Sequence, residues 1–427
     1  MSYRTRFIEW CQRPSKIKIR TYNPRNVVVL VTFSILIAAS IIVGVWGYQV
    51  AFLPPAEYTF IAPESIETLI ITTDTTLTED YFNTTIVIGA DGVTLDGDGH
   101  TIVGPGLDVD FIGDPNMDTN KDPYWMEELN MPAGILLEGR TGVTVKNCRV
   151  TDFVYGFFLN GSSGNTLQGN TANNNRLGFM LDWSDGNILR GNTANNNELG
   201  FWLMRSDLNS LAANTANNNG IGFELIETYG NSFEANTAND NAHFGFWMMD
   251  TSNATLRDNT ANGNNRGFEF SESFGNTLQG NTANNNINGF GLSESDGNSL
   301  RGNTANNNTH AGFHVTFSSS NNTLTGNIAS NNEYGICYGA TDAGSPNNSI
   351  YHNNFVNNIQ QINIKKTVNA WDDGSGGNYW SDYTGVDANG DGIGDTPYVI
   401  NKNNMDRFPL MAPMSVFDAG IEGGETN

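Results

Sequence analysis

From Gly134 onward, hydrophobic residues recur in short alternating runs separated by blocks of asparagine. Phe179 and Leu181, Phe201 and Leu203, Phe223 and Leu225, Phe246 and Met248, and Phe290 and Leu292 occupy every second position. Alternation of this kind predicts β-strands with one buried face. The Gly-Phe pair inside each run begins at Gly156, Gly178, Gly200, Gly222, Gly245, Gly267, Gly289 and Gly312, with Gly-Ile at Gly134 and Gly335. A second apolar position recurs at Leu167, Leu189, Leu211, Phe233, Leu256, Leu278, Leu300 and Leu324. The alanine of a repeated Asn-Thr-Ala supplies a third, small one.

Asn-Thr-Ala starts at Asn170, Asn192, Asn214, Asn236, Asn259, Asn281 and Asn303, with Asn-Ile-Ala at Asn327, so the steps are 22, 22, 22, 23, 22, 22 and 24 residues. A fixed period in the low twenties is the mark of a solenoid. No ten-residue helical pattern fits inside one repeat, and the leucine spacing of leucine-rich repeats is missing. The expected fold is all-β, a right-handed parallel β-helix with one coil per repeat, its hand following from the crossover rule. The asparagines suit this fold twice over. They tolerate the left-handed backbone of sharp bends, and their amides lie about 4.8 Å from their copies in the next coil, within reach of a hydrogen-bonded ladder. The glycine before each phenylalanine is expected to mark the bend that re-enters the strand.

Charge changes the picture at the N-terminus. Residues 1–26 carry seven Lys and Arg against Glu9 alone, and residues 27–47 contain no charge. That apolar stretch is long enough to cross a bilayer, and the basic flank places the rest of the chain outside the cytoplasm. A cleaved signal peptide is the competing reading. Subtracting residues 1–26 from the totals of 21 basic and 45 acidic residues leaves 14 against 44. So acidic a surface excludes nucleic acid as a natural partner. The expected organisation is a basic cytoplasmic segment 1–26, an anchor 27–47, a tether and cap 48–83, the β-helix 84–368 with an excursion at 107–132, and a C-terminal cap 369–427. Cys148 and Cys337 lie about eight coils apart, too far for a disulfide.

The coil pattern, the entry segment IVIGADGVTLDGDGHTIVG (Ile86 to Gly104) and the exit YHNNFVNN (Tyr351 to Asn358) resemble the NosD-type β-helix family, also described as the carbohydrate-binding and sugar-hydrolase type. The tail NYWSDYTGVDANGDGIGDTPYVI (Asn378 to Ile400) is similar to tails on surface-exposed archaeal members. The resemblance implies an extracytoplasmic β-helix. It also implies either copper handling, since NosD proper is implicated in copper-site maturation of nitrous oxide reductase, or polysaccharide modification.

Stacking turns sequence columns into surface strips. Two residues after the Gly-Phe glycine, the outward column reads Phe158, Met180, Trp202, Glu224, Trp247, Glu269, Gly291, His314 and Cys337. Trp202, Trp247 and the nearby Trp183, with Glu224 and Glu269, form a candidate platform for sugar rings; the alternative is a surface covered by the excursion or by another subunit. Five residues after the glycine, Glu227, Asp250, Glu272 and Glu294 form a candidate cation strip. Ser184, Ser206, Thr228, Thr251, Ser273, Ser295 and Ser318 make a hydroxyl ladder beside it, on what reads as a solvated edge. Asp387, Asn389, Asp391 and Asp395 follow the spacing of the first part of a calcium loop, with Asp406 or Asp382 left to complete a Ca2+ shell. His310, His314 and Cys337 are the one soft-ligand group suited to copper. The expected function is non-catalytic binding of carbohydrate or a similar surface polymer by a membrane-anchored protein. The alternatives are a polysaccharide-modifying hydrolase, lyase or epimerase, and a copper-handling accessory protein.

Overall fold

A computed structural model of the chain describes residues 66–106, 132–339 and 344–414. The alternating runs become the strands of one 13-stranded sheet, from Glu67–Ile71 to Gln360–Asn363, to which each coil contributes one strand. The second apolar position lies in a 12-stranded sheet that ends at Ser349–Tyr351. Asn-Thr-Ala forms a third face, built of two four-stranded pieces linked by single bridges from Thr171 through Thr193, Thr215, Thr237, Thr260 and Thr282 to Thr304. All pairing between successive coils in these three sheets is parallel, with equivalent residues opposite one another, as in Phe179↔Phe201 and Leu189↔Leu211. The fold is a parallel β-helix of about 13 turns.

Its core is a set of stacks along the axis. Phe157, Phe179, Phe201, Phe223, Phe246, Phe268, Phe290 and Phe313 pile ring on ring with centroids 4.5–5.2 Å apart. Each contact adds about 1 kcal/mol to the burial itself. Leucines of the second sheet and the alanines Ala172, Ala194, Ala216 and Ala238 fill the other two walls.

The three consecutive asparagines do three different jobs. In Asn195-Asn196-Asn197, the first accepts the backbone N–H of Asn217 on its side chain at 2.8 Å. The second has φ of 59° and makes the bend. The third is buried, where its Nδ2 donates to the Ala172 carbonyl and its Oδ1 accepts the Asn175 N–H. The Asn of Asn-Thr-Ala builds a second buried ladder, in which Asn170 Nδ2 donates both to the Val145 carbonyl and to Asn192 Oδ1. These amides satisfy backbone groups that would otherwise be orphaned inside the bends.

The Gly-Phe glycines do not sit at bends. They lie within the strands, as Gly178 does in Leu177–Asp182, and none has a positive φ. Their role is close approach. A Cβ on Gly178 would meet the Gly200 carbonyl oxygen at 2.5 Å and the Ala194 methyl at 2.9 Å.

The stack begins inside the segment read as tether and cap, because Glu67–Ile71 pairs with Thr84–Ile88. Across the excursion the register resumes, with Ile86 opposite Ile135 and Ile88 opposite Leu137. Residues 107–131 of the excursion read as 107–132, and the proposed anchor 27–47, lie outside the described residues. Among the described residues no helix is long and apolar enough to cross a membrane.

Candidate functional site

The outward column predicted from spacing exists as one line on the first sheet: Phe158, Met180, Trp202, Glu224, Trp247, Glu269, Gly291, His314 and Cys337 are successive register partners. It is not the open ridge expected. Trp247 is 1% exposed, Glu224 5% and Glu269 2%, while Trp202 is half-buried. Large residues in the flanking columns close around them. Phe244 stacks on Trp247 at 5.1 Å, and Met180, Met204, Tyr155 and Leu177 form a second apolar cluster against which Trp202 and Leu199 pack.

Burial sets the charge of the column. The Glu224 carboxyl is pushed up to about 8 by loss of water, with Glu198 adding repulsion, so it is protonated at neutral pH. Burial also raises Glu269, opposed by Arg266, whose Nη1 donates to Glu269 Oε1 at 2.5 Å. Arg266 escaped sequence reasoning, although a charge where neighbouring coils place Phe244 and Ile221 was a signal.

Trp183 lies apart from the buried column and is the exposed aromatic of the group. The Arg205 guanidinium lies 4.6 Å from its ring centroid and donates twice to Asp182, at 2.9 and 3.1 Å. Trp183 also opens a second column: Trp183, Arg205, Glu227, Asp250, Glu272, Glu294 and Phe317 all have φ between 47° and 54°. The other left-handed corners are filled mostly by residues that tolerate the conformation, such as Asn174 and Asn218, Gly169 and Gly191, or Gly164 and Gly186. At this corner alone the chain holds a run of bulky or charged residues there, at a cost of roughly 1 kcal/mol each. The predicted cation strip is therefore a continuous edge, with Glu227 and Asp250 exposed and Glu272 and Glu294 half-buried.

The hydroxyl ladder beside it is interior, not a solvated edge. Ser184 Oγ accepts the Ser162 N–H at 3.0 Å, and Ser273 and Ser295 repeat the bond, so the hydroxyls cap backbone groups at the corner. Its later member is Ser319 rather than Ser318, because the 24-residue coil shifts the frame by one.

Neither metal group assembles. Among the described residues no three His, Cys, Asp or Glu side chains lie close enough to hold an ion. In the calcium-like loop, Asp387 accepts the N–H groups of Gly390, Asp391 and Gly392, Asp391 that of Ile393, and Asp395 that of Ala388. Asn389 turns its Nδ2 to Asp391. Asp406 is buried elsewhere, bonded to Trp380 Nε1 and the Asn378 N–H, and Asp382 accepts the Tyr398 hydroxyl. For copper, His310 and His314 lie edge to face at 5.4 Å, and Cys337 is the register neighbour of His314. But His310 Nδ1 is bonded to Asn288, and burial holds the Cys337 thiol up at about 11, far from thiolate. Among the described residues the trio does not gather into a three-ligand cluster.

A family model described as periplasmic copper-binding protein (NosD) matches residues 113–242 and 227–385. The probable ABC transporter binding protein NosD of Stutzerimonas stutzeri is 44% identical over 72 residues, 17% of this chain and 16% of that protein. Its namesake in Pseudomonas aeruginosa is 42% identical over 72 residues, 17% of each. The chain thus matches less than two thirds of the length of these curated relatives. Among solved structures, a variant of the periplasmic alginate epimerase AlgG is similar at TM-score 0.50 and 14% identity, covering 68% of this chain and 75% of that one. That is a likeness of fold.

Proposed function

Because the chain belongs to the NosD family, we propose that it works outside the cytoplasm as a β-helix that binds a carbohydrate or similar polymer along the outer face of its first sheet, without turning it over. The observation that supports this is the pair of accessible indoles at the first sheet and its corner, the half-buried Trp202 and the exposed Trp183. An indole offers a flat apolar face to the C–H side of a sugar ring. Residues 27–47 belong to this reading as a membrane tether that holds the binder at the cell surface. Calcium at Asp387–Asp395 lies outside this reading, because backbone N–H groups of the turn take up those carboxylates.

Affinity electrophoresis of the full chain against a set of polysaccharides tests it. Retention by at least one polymer is expected, lost in Trp202→Ala, with no new reducing or unsaturated ends after long incubation. Products that disappear in Glu224→Gln would replace the binder with an enzyme.

Copper handling is the second reading, favoured by the description of the matched family. It requires stoichiometric Cu(I) binding that His314→Ala weakens.

A further inference from the structure

Where the first sheet gives way to the second, the left-handed corner residue is glycine at Gly230, Gly275 and Gly297 and asparagine at Asn253, Asn321 and Asn347, all with φ between 55° and 68°. Two positions on, these coils open the second sheet with a hydroxyl residue, so that Thr255, Thr323 and Ser349 lie in one aligned column with Thr277 and Ser299. Asparagine at this corner therefore creates the triplet Asn-x-Ser/Thr, the acceptor pattern for an N-linked glycan. Asn307-Asn308-Thr309 repeats it at the corner that follows the third face, with φ of 56° at Asn307.

The fold presents these four triplets alike. Asn253, Asn307, Asn321 and Asn347 are exposed, and the hydroxyl residues are exposed at Thr255 and Thr309 and half-buried at Thr323 and Ser349. Among the described residues, none of these outer amides or hydroxyls makes a side-chain hydrogen bond. The middle residue is buried, and where it is an asparagine it is fixed in the ladder, as when Asn322 donates to the Ser295 carbonyl at 3.0 Å and to Asn348 Oδ1 at 3.1 Å. The acceptor amide thus stands on a rigid bend, open to a second molecule and with no bond to give up. Two further triplets lack this geometry. Ser162, two residues beyond Asn160, is fully buried, and its hydroxyl accepts the Arg140 N–H and donates to the Asn160 carbonyl. Asn83 is half-buried.

We propose that Asn253, Asn307 and one of the pair Asn321 and Asn347 are N-glycosylation sites, and that Asn83 and Asn160 are not. Asn321 and Asn347 sit in adjacent coils about 4.8 Å apart, so a sugar on either blocks the approach to the other. The co-reactant is a lipid-linked oligosaccharide phosphate. Asparagine Nδ2 bonds to C1 of its first sugar, the C1–O bond to phosphate breaks with its electron pair leaving on the phosphate, and Nδ2 releases one proton to water. This rests on the extracytoplasmic placement above and not on polymer binding.

The test maps glycopeptides by mass spectrometry on the full chain purified from the membranes of its own organism. Saccharide is expected on Asn253, on Asn307 and, in any one molecule, on either Asn321 or Asn347, with none on Asn83 or Asn160. Asn253→Gly, which installs the residue of the neighbouring coils at a left-handed position, and Thr255→Val, which keeps the asparagine, should each remove the glycan at Asn253 and leave the circular dichroism spectrum unchanged. Occupancy of Asn160 equal to that of Asn253 would mean that the triplet is read without regard to the fold, and overturns the proposal. Saccharide on both Asn321 and Asn347 of one molecule overturns their mutual blocking. A bare Asn253 or Asn307, while a membrane-impermeant amine reagent labels the exposed Lys365 and Lys402 on intact cells, overturns the proposal and leaves the placement intact. If the reagent reaches neither lysine and no saccharide is found, placement and proposal fall together.

Discussion

Gly200 lies so close to Gly222 that a Cβ on the first would stand 2.5 Å from the carbonyl oxygen of the second. The Ala216 methyl and Asn219 Nδ2 crowd the same point at 3.0 and 3.1 Å. These neighbours are backbone or ladder atoms and cannot move aside. Gly200→Ala is expected to destabilise the β-helix by about 2 kcal/mol, in the range of core overpacking. Urea denaturation followed by circular dichroism checks it. An unchanged midpoint would mean that the coils slide apart more easily than their ladders imply.

Glu294 is the opposite case, a side chain held at φ of 51° where asparagine or glycine is at ease. Glu294→Asn should stabilise the protein by up to about 1 kcal/mol through relief of that strain. A loss of stability would show that the carboxylate makes a contact worth more than its backbone cost.

The Glu224 carboxyl titrates at about 8 in the folded protein, against an ordinary carboxylate value in the unfolded chain. Between those two points the folded state holds a proton that the unfolded state has released. Stability contributed by the neutral form is therefore full below about pH 4.5 and falls as pH rises toward 8, by an amount on the order of a few kcal/mol. Glu224→Gln cannot ionise and should flatten this slope, so its melting temperature should exceed that of the native chain at pH 8.5 by more than at pH 5. Parallel melting curves across that range would place the carboxyl in contact with water.

At the C-terminal loop, carboxylates of Asp387, Asp391 and Asp395 are taken up by backbone N–H groups of the turn itself. Chelation of Ca2+ is expected to leave the melting temperature where it was. A ligand bound only to the folded state adds about 2.7 kcal/mol at a hundredfold excess over Kd. A drop on chelation that Asp391→Ala abolishes would restore the calcium reading.

The chain by itself determined the coil, its period and the membership of the columns counted from the Gly-Phe pair within the strand. Period and alternation are local properties, and stacking at one strand spacing brings residues of equal phase together, as the line from Trp202 to Glu269 shows. Which outward positions meet water was decided laterally, between columns. Trp247 is buried with Phe244 stacked on it, whereas Trp183 at the neighbouring corner is exposed, and no count along one column carries that information. The two-residue lengthening of the coil around Gly312 likewise moved the hydroxyl ladder from Ser318 to Ser319, since hydrogen-bond register follows the path of the bend and not the distance in sequence from the last glycine. The glycines themselves read as bends because that is their commonest local use. Only the neighbouring coil, pressing on the space where a Cβ would be, made them strand residues.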